Sequence, residues 1–452
     1  MSTLEGDRIQ ELFTAVTEEA KNGSPEQAWS LAEPLLRAQA KDETAAVALA
    51  RLVARGTFSR SDGLVAARAL ASAHPSSIVV MSRLGNAFQQ LHDIDYLNAE
   101  PPSDPLFTLV ARTLVELLES GSTRSESEEV ALVEGLYTAA RLLGRSWDKL
   151  AEQCSKRLIE LSPDSWTAHY DAGLFYKTRG RFEEGCRHNQ RAYELGGSES
   201  DAVRWNLGIC ATGARDAGTA LSVWKSLGNH IELGRFGLPD GEYGDVKVRL
   251  AERPLAERDP AKAPDEPGEE ETVWVERLSP CHGIIRSALY AELGVDFGDV
   301  VLFDGAPITY HEYDGERVPV FPHLVTLARN GYRIVQFGGT QAHAHQIAEL
   351  SKQLPADAVL YVHTEQFRVL CANCWENYRD EHARHREVEH AVVTGKLCAP
   401  ADIPAAELLK LLDSAVASAA GVQLLLPDLV RECGYLARAD VEARRLAMIV
   451  DN

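Results

Sequence analysis

Cysteine and histidine side chains cluster in one stretch of the second half of the chain. Cys371 and Cys374 are separated by two residues, and His382 and His385 follow shortly after them. Two thiolates at this spacing can chelate one metal ion, and two further cysteine or histidine ligands would complete a tetrahedral zinc site. The sequence therefore makes these four residues a candidate zinc quartet.

Helical geometry sets a condition on that quartet. If Cys374 and His382 belong to one continuous helix, they lie ~12 Å apart at ~1.5 Å per residue, too far to share an ion. Either the helix breaks or other ligands are recruited, and Cys281, His282 and Cys398 are the outside donors we expect, because each lies beside a predicted strand end. Two unligated thiols, or a redox pair with a lowered thiol pKa, are the other interpretations.

The segment Ser279–Gly283 is a second candidate for chemistry, because it places Cys281 beside His282. A nucleophilic cysteine needs an imidazole within hydrogen-bond distance, and side chains adjacent in sequence commonly point apart. The pattern therefore favours a tight turn with a buried cysteine over a catalytic pair.

A helical repeat precedes these residues in the chain. The segment Trp166–Asn229 reads as two copies of one helical hairpin, with three pairs of landmarks each 35 residues apart: Gly173 and Gly208, Gly185 and Ala220, Asn189 and Trp224. Three landmarks that shift together are hard to obtain by chance. They predict a stack of helical hairpins.

Small residues at Gly173, Gly185 and Ala192, with large neighbours such as Tyr176 and Phe182, resemble the tetratricopeptide repeat (TPR). The resemblance covers residues 132–230 clearly and 24–131 weakly. It implies a curved solenoid whose concave face receives another protein or a peptide. The first helices of the hairpins would then supply the partner-binding candidates, unless these are simply solvated polar positions: His169, Lys177, Arg204 and Asn206.

The composition changes after residue 250. Residues 251–271 are rich in proline and acidic side chains, which keep a segment extended, so we expect a linker there. Beyond it, apolar strands such as Tyr332–Phe337 alternate with helices predicted over 323–330, 340–353 and 405–419. The predicted organisation is an all-α TPR-like solenoid over residues 1–250 and an α/β or α+β domain with a mixed or parallel sheet over 272–452.

Charge and hydropathy exclude several classes of protein. The net charge of −21 and the lack of a Lys/Arg-rich run argue against binding nucleic acid. No stretch approaches the ~18 uninterrupted apolar residues of a membrane helix, and Met1–Val16 is too polar and acidic for a signal peptide. We therefore expect a cytoplasmic protein without membrane insertion.

The leading functional hypothesis is an interaction adaptor. In it the repeats bind a protein partner, and the C-terminal domain, with or without structural zinc, supplies a second contact. The rival hypothesis is a metal- or thiol-dependent enzyme with its active site in the C-terminal domain, although no catalytic constellation stands out from the sequence. Packing of the repeats against the C-terminal domain, or against a second copy of the chain, is a third possibility.

Overall fold

Helices occupy the first half of the chain in the computed structural model, which describes residues 3–22, 24–39, 42–92, 102–121, 123–258, 266–371, 375 and 387–450. Neighbouring helices pack against one another in hairpins, as the repeated sequence landmarks predicted. The helices are α1 Thr3–Lys21, α2 Pro25–Gln39, α3 Glu43–Ala54, α4 Arg60–Ala73, α5 Ile78–Asn86, α6 Phe88–Leu91, α7 Pro105–Glu119, α8 Glu126–Leu142, α9 Asp148–Leu161, α10 Trp166–Thr178, α11 Phe182–Glu194, α12 Asp201–Gly213 and α13 Ala217–Ser226.

Short polar side chains fix where these helices begin. Asp42 caps α3 by accepting a hydrogen bond from Ala45 N at 2.9 Å. At the start of α8, Glu128 N donates to Ser125 Oγ at 3.3 Å and Ser125 N donates to the Glu128 carboxylate at 2.9 Å. The bond from the Ser125 amide, together with one from the Ser125 hydroxyl to the same carboxylate at 2.7 Å, lowers the pKa of Glu128. Each cap satisfies an amide that the helix itself leaves without a partner.

The predicted 35-residue period corresponds to a repeated contact between helices. A Cβ added to Gly173 of α10 would lie 2.3 Å from Asn189 Nδ2 of α11. One period later, a Cβ added to Gly208 of α12 would lie 2.5 Å from Trp224 Cζ2 of α13. In both hairpins the glycine lets a larger side chain of the second helix pack directly on the backbone of the first.

A barrel-like sheet, which we call the barrel, follows the helices. Its strand order is β3-β4-β5-β6-β8-β7, and β3 also pairs in parallel with β8, which closes the sheet. A separate short pair, β1 Glu232–Leu233 and β2 Pro239–Asp240, precedes it. The barrel strands are β3 Val246–Ala251, β4 Glu270–Ser279, β5 His282–Ile285, β6 Val300–Phe303, β7 Thr309–Tyr313 and β8 Glu316–Ala328.

Strand β6 is apolar at every position because both of its faces are covered. Val301 and Phe303 point into the barrel core. Val300 and Leu302 point outward and pack in one cluster with Trp224 of α13 and other residues of the last repeats. The last hairpins and the barrel therefore share a hydrophobic core.

The acidic segment 251–271 connects two paired strands of the barrel. Strand β3 ends at Ala251, the first residue of this segment, and pairs antiparallel with β4, which begins inside the segment, with Val246 opposite Val275 and Ala251 opposite Glu270. The sheet thus begins at Val246, ahead of the expected linker. Within the described residues, the change from helices to sheet falls between α13 and β3.

A second, antiparallel sheet forms the C-terminal part. Its strand order is β10-β11-β9-β12, and the chain adds helices that pack on it. One face, with Phe337 and Leu397, forms a core with Leu408 and Leu412 of the helix α15. The elements are β9 Tyr332–Gln341, α14 Gln346–Glu349, β10 Val359–Cys371, β11 Glu387–Pro400, α15 Ala405–Ser418, β12 Gln423–Leu425, α16 Pro427–Glu432 and α17 Leu436–Val450.

The expected α/β or α+β architecture is confirmed in its α+β form, since among the described residues only β3 and β8 pair in parallel. The helix predicted over 405–419 is present as α15. The helix predicted over 340–353 is wrong for its first residues, because β9 continues to Gln341 and α14 begins only at Gln346.

The helix predicted over residues 323–330 is also wrong, because β8 extends through Ala328. Leu324 and Leu327 are both buried in the core shared with the repeats, at a three-residue spacing typical of a helix. Register shifts between β6 and β8, at Val300/Val301 and Leu302/Phe303, interrupt the strict alternation of faces. These bulges account for the helix-like spacing in a strand.

Candidate protein-interaction site

The first helices of the last two hairpins present one face to a common cavity. On α10 this face carries Tyr170, Leu174 and Lys177, at the spacing of one helical face. On α12 it carries Trp205 and Ile209. Together with the barrel they enclose about 360 Å³, which we call the junction pocket.

The barrel supplies the remaining wall of the junction pocket through the residues that follow β6, Asp304–Ala306. Gly305 packs directly on the Trp205 indole, since a Cβ at this position would lie 2.8 Å from Trp205 Cε3. The Trp205 ring in turn packs edge-on against Trp224, with 5.1 Å between ring centroids. The tandem aromatic rings therefore hold the wall of the pocket against the repeat core.

A buried ion pair joins the repeats to the barrel in this pocket. Lys177 Nζ lies 2.5 Å from Asp304 Oδ2 and donates to Asn206 Oδ1 at 2.6 Å. The side chains of Lys177 and Asp304 are 3% and 4% exposed, and Asp304 Oδ1 also accepts from Ala306 N at 3.1 Å. Because the two charges neutralise each other, this pair links the repeats to the barrel without adding a net charge to the pocket.

An acidic side chain, Asp171 of α10, also lines the junction pocket. Burial raises the pKa of Asp171, which lines the junction pocket, although the Arg141 guanidinium opposes the shift. Two effects raise the pKa of Glu134 on α8: burial, which is the larger, and the nearby charge of Asp171. This part of the surface therefore favours a cation beside Asp171.

The structure divides the four predicted partner-binding residues. Lys177 and Asn206 do line the junction pocket, but they are engaged with each other and with the barrel. His169 is buried between helices, with its Nδ1 3.2 Å from His188 Nδ1 of α11. Arg204 forms an ion pair with Asp201 of its own helix. Partner binding by these residues stays a prediction.

Several residues of the pocket were not among the predicted ones. Tyr170 and Leu174 on α10, and Trp205 and Ile209 on α12, recur at intervals of four residues. That spacing marks one face of each helix and could have nominated them. The contribution of Asp304 had no such signal, because it depends on how the barrel docks on the repeats.

Cys281 lies in the turn between β4 and β5, His282 is the first residue of β5, and both are fully buried. Ser279 Oγ lies 2.5 Å from His282 Nδ1. Burial raises the pKa of the Cys281 thiol to about 11 and lowers the pKa of His282 to about 4. An inaccessible, protonated thiol is a poor nucleophile, in agreement with the predicted turn containing a buried cysteine.

The remaining zinc candidates do not meet in the part of the chain that the structure describes. Cys371 pairs with Glu387 at one end of the β10–β11 ladder, whereas Cys398 pairs with Val359 at the other, roughly 40 Å away at ~3.3 Å per residue. Cys398 therefore cannot share an ion with Cys371.

The other three members of the quartet, Cys374, His382 and His385, lie outside the described residues. The residues that are described contain no group of three or more histidine, cysteine, aspartate or glutamate side chains that could hold a metal ion. A zinc site that uses Cys371 stays a prediction.

Comparison with known proteins gives similarity to solved repeat structures alone. No protein-family profile and no curated protein matches the chain. PilW, a widely conserved type IV pilus biogenesis factor, is 13% identical with a TM-score of 0.37, over 50% of this chain and 93% of PilW. YrrB, a TPR protein with an unusual peptide-binding site, is 14% identical with a TM-score of 0.28, over 43% of this chain and 89% of YrrB.

MamA from Desulfovibrio magneticus RS-1 is a further similar structure, 15% identical with a TM-score of 0.29, over 49% of this chain and 93% of that chain. Identities of this size concern the helical fold alone, and the junction pocket rests on this chain's own residues. Across the described ranges, no helix is both long and apolar enough to span a membrane.

Proposed function

We propose that this chain is a protein-interaction scaffold whose repeats bind an extended peptide segment of a partner protein. The junction pocket receives an apolar side chain of that segment, and a basic residue beside it faces Asp171. In this arrangement the barrel completes the binding surface, and the repeats and the barrel act together.

The proposal rests on Leu174, a half-buried apolar side chain in the pocket that also contains the Lys177–Asp304 ion pair. Leu174 lines the junction pocket with Trp205 and Ile209, and it belongs to none of the hydrophobic clusters formed by the described residues. An apolar side chain that lines a cavity without packing in a core is suited to a ligand.

Electrostatics support the basic character of the partner. Lys177 and Asp304 neutralise each other, so Asp171 is the charged group of the pocket lining that can face a ligand. A cation placed next to it would restore the favourable solvation that burial removes. The net charge of −21 attracts a basic segment over longer distances.

A random peptide library displayed on phage and selected on the full chain tests this proposal. We expect the selected peptides to share an apolar residue flanked by lysine or arginine. Binding of a selected peptide is then measured by fluorescence anisotropy with the wild type and with Leu174→Asp. Because a buried leucine contributes about 1.5–3 kcal/mol, Leu174→Asp is expected to weaken binding at least about tenfold.

Leu109→Asp is the matched control, since Leu109 is an exposed leucine of α7, 55% accessible and remote from the pocket lining. It should leave peptide affinity unchanged. Asp171→Asn should reduce the preference for basic residues while keeping the apolar one. Failure to select any peptide, or equal affinities of the wild type and Leu174→Asp, would contradict the proposal.

The alternative of an enzyme with Cys281 and His282 in its active site finds no favouring observation among the described residues. Both side chains are enclosed, with no exposed surface. A cytoplasmic location and the absence of nucleic-acid partners remain predictions from the sequence.

A further inference from the structure

The C-terminal sheet has a polar strip on the face opposite its main core. The strand register places Gln336 of β9 beside Lys396 of β11 on this face. It places Thr364 of β10 beside Thr394 of β11, with 2.6 Å between the two hydroxyl oxygens. We call this strip the polar cleft; its floor is Gln336, Thr364, Gln366, Arg368, Thr394 and Lys396.

Apolar clusters cover the same face at both ends of the cleft. At one end Cys398 packs with Ala288 and Phe297 of the barrel. At the other end Leu370 and Val392 pack with Ile449 of α17 and other apolar residues. A covered sheet face is normally apolar throughout, so the polar middle is a feature that packing of the sheet does not explain.

The middle of this face is also open. Tyr290 and Asp296 from the barrel form one wall, Ile449 and Val450 from the end of α17 form another, and the enclosed space is about 700 Å³. Such a volume is within the range of small-molecule sites. A polar floor, fixed walls and open space together define a site for a small polar ligand.

Arg368 supplies a positive charge in this cleft that no described carboxylate compensates. Its Nη1 donates to Ile449 O at 2.6 Å. With the Gln366 amide oxygen turned toward it, Nε and Nη2 donate to that oxygen at 3.0 and 2.9 Å. Both partners are neutral, and no carboxylate among the described side chains forms an ion pair with Arg368.

A guanidinium has five N–H donors, and these contacts use three of them. The remaining two lie on the two terminal nitrogens, one on each. A pair of donors of this kind is what a carboxylate needs for a two-point, charge-assisted hydrogen bond.

The other charges of the cleft are accounted for. Lys396 Nζ lies 3.0 Å from Asp296 Oδ2, so this pair is neutral. Asp428 is paired with Arg431 at 3.2 Å. Glu292 lies at the exposed rim. One half-buried positive charge with acidic groups around it suits a single carboxylate better than a phosphate, whose charge at neutral pH is about −1.5 to −2.

An aromatic surface lies farther along the cleft, since His363 precedes Arg368 by five residues of β10, roughly 17 Å at ~3.3 Å per residue. Tyr290, 64% exposed, stacks on His363 with 4.0 Å between ring centroids. His363 Nε2 donates to Ala288 O at 2.7 Å, and this bond fixes the orientation of the His363 ring. The exposed Tyr290 ring thus offers a flat apolar face to the carbon skeleton of a ligand.

We propose that the polar cleft binds a small hydroxylated organic carboxylate, with the carboxylate on Arg368 and the hydroxyl groups on Thr364 and Thr394. This site is independent of the peptide-binding surface of the repeats, so the two proposals stand or fall separately.

Saturation-transfer NMR with the full chain tests the site with two matched pairs of probes. D-glucuronate is compared with D-glucose, and 4-hydroxybenzoate with phenol, so that each pair differs in the carboxylate. We expect saturable binding of at least one carboxylate and none of its neutral counterpart. Inorganic phosphate is a third arm, and binding of phosphate without either carboxylate would overturn the proposal.

Two variants locate the binding. Arg368→Gln should weaken carboxylate binding at least tenfold, because the charge-assisted bond is lost, while Arg317→Gln, an exposed arginine of β8, should not. Thr394→Val leaves the contacts of Arg368 intact and removes a hydroxyl group from the floor, so it should also weaken binding. No saturable binding of either carboxylate, or unchanged binding in Thr394→Val and Arg368→Gln, would overturn the proposal.

Discussion

Two histidines of the barrel are enclosed by the fold, His282 with no exposed surface and His323 with 2%. Burial lowers the pKa of each to about 4, from an ordinary value of 6.5. Between these values the unfolded chain binds a proton at each site and the folded chain does not. Protonation therefore favours unfolding, and these histidines cost stability as the pH falls from 6.5 toward 4.

This residue-scale effect predicts a pH-dependent stability. The free energy of unfolding, from urea titrations followed by circular dichroism, should fall by about 1.4 kcal/mol per pH unit for each histidine below about pH 6.5, and the contribution should level off above it. His323→Leu should show a shallower fall, since one of the two sites is removed.

His343→Asn is the control for that experiment, because His343 is exposed. It should keep the pH dependence of the wild type. If His323→Leu also kept it, the proposed burial of a neutral imidazole would be wrong.

At the scale of elements, the glycines of the repeats set how closely paired helices approach. Trp224 is fully buried against Gly208, so its ring has no free space into which it can move. Gly208→Ala should lower the free energy of unfolding by about 1–3 kcal/mol through overpacking. Urea denaturation followed by helical circular dichroism measures the change.

Gly218→Ala in α13 is the matched substitution. A Cβ there meets only Asp216 Oδ1, at 3.6 Å, and alanine is favoured over glycine in helices. Its stability should equal or exceed that of the wild type. Equal losses in both variants would show that helix packing is not the reason for glycine at position 208.

At the scale of the whole molecule, the repeats and the barrel should unfold in a coupled way. Leu302 of β6 is fully buried in the core that also contains Trp224 and Ile209. Leu302→Ala, which leaves a cavity at this shared core, should cost about 2–5 kcal/mol. Hydrogen exchange followed by mass spectrometry should then speed up in α12 and α13 as well as in the barrel.

Leu408→Ala provides the comparison, because Leu408 is equally buried but belongs to the core of the C-terminal sheet. It should speed up exchange in β9 and α15 and leave α12 and α13 unchanged. Faster exchange confined to the barrel in Leu302→Ala would argue against a shared core.

Local patterns in the sequence were sufficient for much of the fold. The 35-residue spacing of Gly173 and Gly208 predicted the hairpins correctly, because each glycine contacts a residue of its own hairpin. The apolar stretch from Tyr332 to Phe337 predicted β9, since its alternate side chains face a core. Bulges misled the prediction in β8, where pairing with β6 and not local preference sets which residues are buried.

The candidate sites were less accessible from the sequence. Lys177 and Asn206 were nominated as residues of the repeat surface, and the structure gives them a different neighbour, Asp304 of the barrel. Arg368 carried no motif, because its surroundings are set by the register of three strands and by the end of α17.

The sequence by itself therefore determined the helical hairpins, the strands with regular alternation and the acidic character of the chain, because these depend on neighbours within one or two turns. Tertiary structure alone decided that β3 begins before the acidic segment and pairs across it. It also decided how the barrel docks on the last repeats and which side chains share a cavity. Such contacts join residues far apart in the chain, and no local periodicity records them.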